Sequence, residues 1–345
     1  MKKIILLLPI QLFLVVSLVA QSASVKLIKD KSNPAIHVTI GGKPFTDFFF
    51  PDTIAKQVLY PISAPNGTVI TRGFPMNTKP GDPTDHPHHL GLWLNYESVN
   101  GLDFWNNSFA IPAEKKHLYG TIKFGKITEM KDGKVGRLGY ESSWQDHAAK
   151  TLLNENTRYD FSEVDGSWVI DRTTTLTAVI PVLFKDVKDG FLGLRMAHEL
   201  QIPTKETKKF VDASGIETVI KAVVDSIPNG NYVNSNGVQG EDVWSKKATW
   251  CMMYGKMGKD SISIVIIDHP KNTGYPTNWH ARGYGLFAAN PLGEKVFTNG
   301  QHELNLSLKP GESVTFKYRV VISSGVKVLD KVRISAIEKQ FYTQQ

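Results

Sequence analysis

Only one cysteine, Cys251, occurs in the 345 residues, so no intramolecular disulfide can form and the fold must rest on its core. Cys251 sits in the apolar run Trp250-Cys251-Met252-Met253, the setting of a buried core residue and not of a reactive thiolate. The chain also lacks HExxH spacing, a nucleophile elbow, a phosphate loop and a dinucleotide fingerprint. Those absences argue against serine-hydrolase, kinase and nicotinamide chemistry. Forty Lys and Arg against 33 Asp and Glu give a net charge of +7, a mild and dispersed excess. Clusters such as Lys246-Lys247 are short, and no dense basic stripe with interleaved aromatics exists, so nucleic acid is not an expected partner. No repeat of fixed period and no low-complexity linker divides the chain.

What is present begins with Lys2 and Lys3 ahead of an apolar run over residues 4–20, followed by the small-x-small pattern Ala20-Gln21-Ser22. That is the pattern of a secretory signal peptide over residues 1–22, and it implies a periplasmic or secreted protein. No long apolar run follows, so the mature chain is expected to have no membrane span.

From residue 24 to the end, short alternating segments recur between Gly, Pro, Asn and Asp, the pattern of antiparallel strands and tight turns. Residues 35–40 and 45–50 flank Gly41-Gly42, and residues 120–130 and 135–144 flank Lys131-Asp132-Gly133-Lys134. Residues 302–308 and 313–323 flank Lys309-Pro310-Gly311-Glu312, and longer strands are expected over 167–182 and 261–267. Helical spacing is convincing only over 328–341, where Leu329, Val332, Ala336 and Phe341 fall near one face. The expected architecture is all-β, one large antiparallel β-sandwich over residues 24–345 with a short C-terminal helix.

Four stretches carry polar residues that a core does not need. In TDHPHHLGLW (84–93), a strand from His89 to Tyr96 puts Leu90, Leu92, Leu94 and Tyr96 on the core face and His89, Trp93 and Asn95 on the other. Asp85, His86 and His88 then form the loop at its entrance, because Pro87 cannot donate to a ladder. In WHARGYG (279–285), His280, Arg282 and Tyr284 share a face that is costly to bury without partners. The same cluster repeats Asp-His-Pro at Asp268-His269-Pro270. In GFLGLRMAHEL (190–200), Arg195 is placed to clamp a carboxylate or a hydroxyl pair, and in GVQGEDVW (237–244) Glu241 lies in a glycine-bounded turn.

Such groups suit acid-base chemistry at a sugar's anomeric centre, an imidazolium giving a proton while a carboxylate takes one. The acid is one of His86, His89 and His280, the base one of Asp85, Asp268 and Glu241, and the sequence does not choose. A metal ion is the less favoured alternative, with His86 and His88 as ligands, since neighbouring side chains on a strand point apart.

YPISAPNGTVITRGFP (60–75), TDHPHHLGLWLNYESVNGLDFW (84–105) and WHARGYGLFAANP (279–291) together resemble the secreted bacterial PmoA family, known as methane oxygenase PmoA, over nearly the whole mature chain. One departure is Leu90, where that family has an arginine after His-His. The family's name implies a membrane monooxygenase, which a chain without apolar spans fits badly. The resemblance more naturally implies a periplasmic protein of polysaccharide-degrading bacteria with a galactose mutarotase-like supersandwich, binding sugar on a concave sheet.

The first expectation is therefore a periplasmic enzyme acting on a sugar or glycoside, with His86, His89 and His280 near the reacting centre and Arg72, Arg195 and Arg282 orienting the carbohydrate. The second is a non-catalytic sugar-binding protein in which Trp93 and Trp279 stack on rings and the histidines only hydrogen-bond; His88, Trp93, Asn95, Trp279 and Tyr284 join the three arginines as expected carbohydrate contacts. The third is a metal-dependent oxygenase or hydrolase. The geometric test common to them is whether residues 85–89 and 280–284 meet in one pocket.

Overall fold

The computed structural model describes residues 24–204, 206–211, 215, 217–220 and 227–343; the expected signal segment lies outside them. Two eight-stranded sheets dominate. The front sheet runs in the order Val25–Lys29, Ala35–Ile40, Lys43–Phe49, Val58–Ile62, Leu92–Tyr96, Gly190–Arg195, Leu286–Asn290, Asn278–Arg282. The back sheet runs Asn231–Asn234, Trp250–Met257, Asp260–Asp268, Ser313–Gly325, Ser167–Ala178, Thr151–Val164, Val135–Gln145, Thr121–Lys131. Neighbours pair antiparallel throughout both sheets, as expected of an all-β sandwich with a C-terminal helix.

The back-sheet strands follow the period-2 rule. In Thr151–Val164, Leu153, Glu155, Thr157, Tyr159 and Phe161 are buried while Asn154, Asn156 and Arg158 face solvent. Inward residues of both sheets form one apolar core that includes Cys251, which burial alone stabilises by roughly 25 cal/mol per Å² of apolar surface. The central front-sheet strands are different, because Leu92–Tyr96, Gly190–Arg195 and Leu286–Asn290 are buried at every position. Their outward faces lie under a second apolar cluster that includes Val58, Trp93, Trp105, Tyr284, Leu286 and Ala288. A sheet covered on both faces gives the loops above it a dry, rigid floor.

Three expectations need correction. Residues 302–308 do not form a hairpin with 313–323: only Ser307–Leu308 is extended, and it pairs with Val182–Leu183. Strand Ser313–Gly325 instead sits between Ser167–Ala178 and Asp260–Asp268. The helix is Lys331–Thr343, and its buried stripe is Ile334, Ile337 and Phe341, packed on the outer face of the back sheet through Trp250, Met252 and Val265. Val332 is 81% exposed, because the i, i+3, i+7 stripe starts two residues later than the one chosen from Val332 and Ala336.

The third correction concerns the strand start, which is Leu92 and not His89. Gly91 has φ +52°, and a Cβ there would overlap the Leu59 carbonyl oxygen and the Tyr60 side chain. This left-handed residue breaks the alternation, so Leu90 joins Trp93 in the outer cluster while Leu92, Leu94 and Tyr96 face the core. Gly91→Ala is expected to lower stability by more than about 1 kcal/mol, measurable as a shift of the urea midpoint at unchanged slope.

Candidate active site

Two buried guanidiniums shape the loop of residues 83–90 from behind. Arg72 donates through Nη1 to the carbonyl oxygens of Asp85 (2.6 Å) and Pro83 (3.2 Å), and through Nη2 to those of His86 (2.9 Å) and His89 (3.2 Å). Arg195, at the end of its strand, donates through Nη2 to both Asp85 carboxylate oxygens at 2.8 and 2.7 Å. Arg72 Nη1 adds a contact to the same carboxylate at 3.3 Å. Charge-assisted bonds of this kind hold a loop firmly when they are dry. They also let His86 sit at φ +43°, a conformation that costs a non-glycine residue energy unless its surroundings fix it.

The consequence is a column of rings. Tyr284 stacks on His86 (centroids 5.0 Å, 4°), His86 on His89 (4.7 Å, 1°) and His89 on Trp93 (5.2 Å, 22°). His88 meets His89 edge-on at 4.3 Å. The hydrogen bonds fix two tautomers. Asp85 Oδ2 lies 2.6 Å from His86 Nδ1, and a carboxylate can only accept, so Nδ1 carries the proton and Nε2 the lone pair. Arg195 Nη1, which can only donate, lies 3.2 Å from His89 Nδ1, so the His89 proton is on Nε2. His89 Nε2 and His88 Nε2 are buried with no hydrogen-bond partner among the described residues.

Electrostatics support these assignments. Burial would raise Asp85, but Arg195, His86 and Arg72 outweigh it and hold the carboxyl well below the usual range. Burial depresses His86 below the ordinary imidazole value despite Asp85, and it depresses His88 and His89 further. These rings are therefore neutral at pH 7.

In the same cavity, His280 and Arg282 come from strand Asn278–Arg282, and Tyr284, the first ring of the column, from the turn after it. The Arg282 guanidinium lies over the Trp244 ring at 4.8 Å. His280 Nδ1 is 3.6 Å from Asp189 Oδ1, and Lys188 Nζ pairs with Asp189 Oδ2. Burial drives His280 down to about 3. Burial would also raise Asp189, but Lys188 and His280 hold it below the usual range, while burial and Asp189 together push Glu97 up to about 8. Burial keeps the Tyr284 phenol protonated.

Asp85, His86, His88, His89, His280, Arg282 and Tyr284 thus line one cavity of about 360 Å³, and the two sequence clusters meet. Sequence reasoning missed Lys188, Asp189, Trp105, Phe109 and Glu217, which line it too. Trp105 lay inside a quoted motif, whereas Lys188-Asp189-Gly190 reads as an ordinary turn and nothing in it signals a site.

Other expected site residues lie elsewhere. Arg72 and Arg195 are spent on the loop, so they position the wall and do not reach a ligand. Trp93 and Asn95 are fully buried beneath it, Trp93 Nε1 donating to Asn95 Oδ1 at 3.0 Å and Asn95 Nδ2 to the Phe104 carbonyl oxygen. Trp279 is in the sandwich core, its Nε1 donating to the Ala248 carbonyl oxygen, and no ring can stack on it. Asp268 is on the back sheet, accepting from Asn272 Nδ2 (2.7 Å) and Thr277 N (2.8 Å). Its neighbour His269 packs on Phe341, so the second Asp-His-Pro is a structural corner. Glu241 abuts Gly283 and is not on the cavity wall. Among the described residues, no group of three His, Cys, Asp or Glu is arranged to hold a metal ion, and His86 Nδ1 is engaged by Asp85.

The class defined by fold and site is an antiparallel β-sandwich protein with a histidine-lined cavity over its covered front sheet. The chain belongs to the family of unknown function DUF6807, which matches residues 35–337. That match replaces the PmoA assignment: the quoted motifs are real features of the chain, but the family they mark is this one. No curated protein matches the chain. Among solved structures it is similar to the GH36 alpha-galactosidase AgaB from Geobacillus stearothermophilus, at 12% identity and TM-score 0.40, over 87% of this chain and 41% of that one. A polysaccharide lyase is similar at 12% identity and TM-score 0.33, over 92% and 34%. The Slr1438 protein from Synechocystis sp. PCC 6803 follows at 10% identity and TM-score 0.31, over 88% and 96%. The chain spans about two fifths of the alpha-galactosidase's length. No helix among the described residues is long and apolar enough to cross a membrane.

Proposed function

We propose that the protein is an exported, periplasmic or secreted, carbohydrate-active enzyme that moves protons at a sugar bound in this cavity. The observation that carries the reading is the Asp85–His86 dyad, on a wall fixed by two arginines, in the cavity that His280, Arg282 and Tyr284 also line. In this scheme His86 Nε2 is the general base, and Asp85 is the residue that holds its tautomer. This reverses the expectation in which an imidazolium gave the proton and a carboxylate, one of Asp85, Asp268 and Glu241, took one. The His89 Nε2–H and the Arg282 guanidinium stabilise the oxyanion that forms. With an anomeric hydroxyl as substrate, His86 takes the hydroxyl proton, the C1 to ring-oxygen bond opens, and the Tyr284 phenol protonates the ring oxygen. Trp105 and Phe109 supply the apolar surface that a sugar's C–H face needs.

The test is turnover across a panel of free sugars and glycosides, followed by NMR of anomeric exchange and product formation. Because His86 must be neutral to act, and burial lowers its pKa, kcat/KM is expected to rise with pH through a midpoint below 6.5 and to be level near neutrality. A rate that falls steadily from pH 5 to pH 8 would reject His86 as base. Calorimetric binding to members of the panel with no turnover of any of them would convert the reading to a sugar-binding protein, which the neutral, stacked histidines also suit. Export is tested separately by N-terminal sequencing of protein from a bacterial periplasm or medium.

A further inference from the structure

A second cavity, of about 520 Å³, adjoins the first, and Pro87, His88, Ser108 and Phe109 line both. Each lies in the usual size range of about 300–1,000 Å³ for small-ligand sites. Their shared divide carries Phe109, 71% exposed, an aromatic side chain that no core packing explains. The wall of the second cavity is cationic. Lys56, 1% exposed, gives Nζ to the His88 carbonyl oxygen at 2.7 Å and lies 5.2 Å over the Trp93 ring. Lys116, half-buried, gives Nζ to the Ser108 carbonyl oxygen (2.6 Å) and Asn107 Oδ1 (3.2 Å).

Each of these bonds ends on a neutral oxygen, and no carboxylate among the described residues hydrogen-bonds either ammonium. The acid on this wall, Asp52, is paired with Lys123 at 2.5 Å. Burying an ammonium without an acid is unfavourable, and burial does lower Lys56 to about 7 against the pull of Asp103. Three donors per ammonium leave capacity beyond the bonds described. His88 Nε2, on the divide, has no hydrogen-bond partner among the described residues either.

We propose that the adjoining cavity is a second glycan subsite for a sugar bearing an oxyanion, a uronate carboxylate or a sulfate, with Lys56 and Lys116 as cationic contacts and Phe109 as the ring platform between subsites. The proposal rests on the sugar reading of the first cavity and narrows it to acidic oligosaccharides.

Affinity electrophoresis tests it in 0.3 M NaCl, where dispersed surface charge is largely screened. The probes are polygalacturonate and alginate (carboxylate), carrageenan and dextran sulfate (sulfate), and neutral glucan, galactan and xylan. Retention is expected on acidic glycans, weakened about tenfold by Lys116→Met and by Phe109→Ala, recovered by Lys116→Arg, and unchanged by Lys246→Met, which removes an exposed charge elsewhere. Which acidic probes retain the protein tells carboxylate from sulfate. Retention by neutral glycans alone, or acidic retention that Lys116→Met leaves intact or that Lys246→Met weakens equally, overturns the subsite and leaves the first cavity's reading standing. Retention by none of the seven overturns the subsite, and the first cavity's reading is then decided by the turnover panel alone.

Discussion

His86→Asn is expected to abolish most turnover, by about 10²- to 10⁴-fold, in a protein that still folds. Asparagine is the informative replacement because residue 86 has φ +43°, and asparagine tolerates the left-handed region better than alanine does. An amide can keep a hydrogen bond to Asp85 yet has no lone pair of useful basicity. What the substitution removes is therefore the base and one ring of the stack between His89 and Tyr284. Loss of ring contacts is worth about 0.5–1.5 kcal/mol per aromatic pair, so a modest fall in Tm accompanies the kinetic effect. Turnover within threefold of wild type, on whichever member of the proposed panel the wild type turns over fastest, would remove His86 from the mechanism. His88→Asn gives the contrast: its ring is edge-on to the column and bonded to no carboxylate, so kcat should change far less than for His86→Asn.

Much of the architecture is legible in the sequence because it is written in local periodicity. Alternation and turn residues locate the hairpins around Gly41-Gly42 and residues 131–134, and they bring His280 and Arg282 of Asn278–Arg282, with Tyr284 from the turn after it, to one cavity. Pairing between distant segments leaves no such mark. Ser313–Gly325 pairs with Ser167–Ala178 and Asp260–Asp268 and not with its sequence neighbour, because register follows burial over the whole sheet. The site shows the same limit. Histidines and arginines could be picked out by type, but whether an arginine faces a ligand or a loop depends on what packs behind it. Arg72 and Arg195 face Asp85 and backbone carbonyls, and Trp93 is floor because loops cover the outer face of its strand. Asp189 escaped notice since its partners His280 and Glu97 are brought to it only by sheet formation.

The largest expected loss of stability follows from removing the carboxylate that this arrangement centres on. Asp85→Ala leaves the Arg72 and Arg195 guanidiniums buried, both at 1% exposure or less, without the charge that compensates them. Breaking a buried pair from one side costs about 3–5 kcal/mol, a large share of the roughly 5–15 kcal/mol that holds a domain folded. Asp85→Ala/Arg195→Met should recover part of that loss, since an apolar chain of similar length needs no partner, and the recovered energy in a double-mutant cycle measures the pair's coupling. The pH dependence has a definite sign. Asp85 titrates lower in the folded protein than in the unfolded chain, so its contribution is present above the unfolded value near 3.9 and is lost as pH falls through the folded one. Wild type should therefore lose stability on acidification below about pH 4, and Asp85→Ala, already without that contribution, should show a shallower acid limb. Chemical denaturation at pH 7 and pH 3.5 reads both effects. A variant as stable as wild type at pH 7, or one with an equally steep acid limb, would mean that the arginines hold the histidine loop through its backbone carbonyls alone, and Asp85 would then be needed only to orient His86.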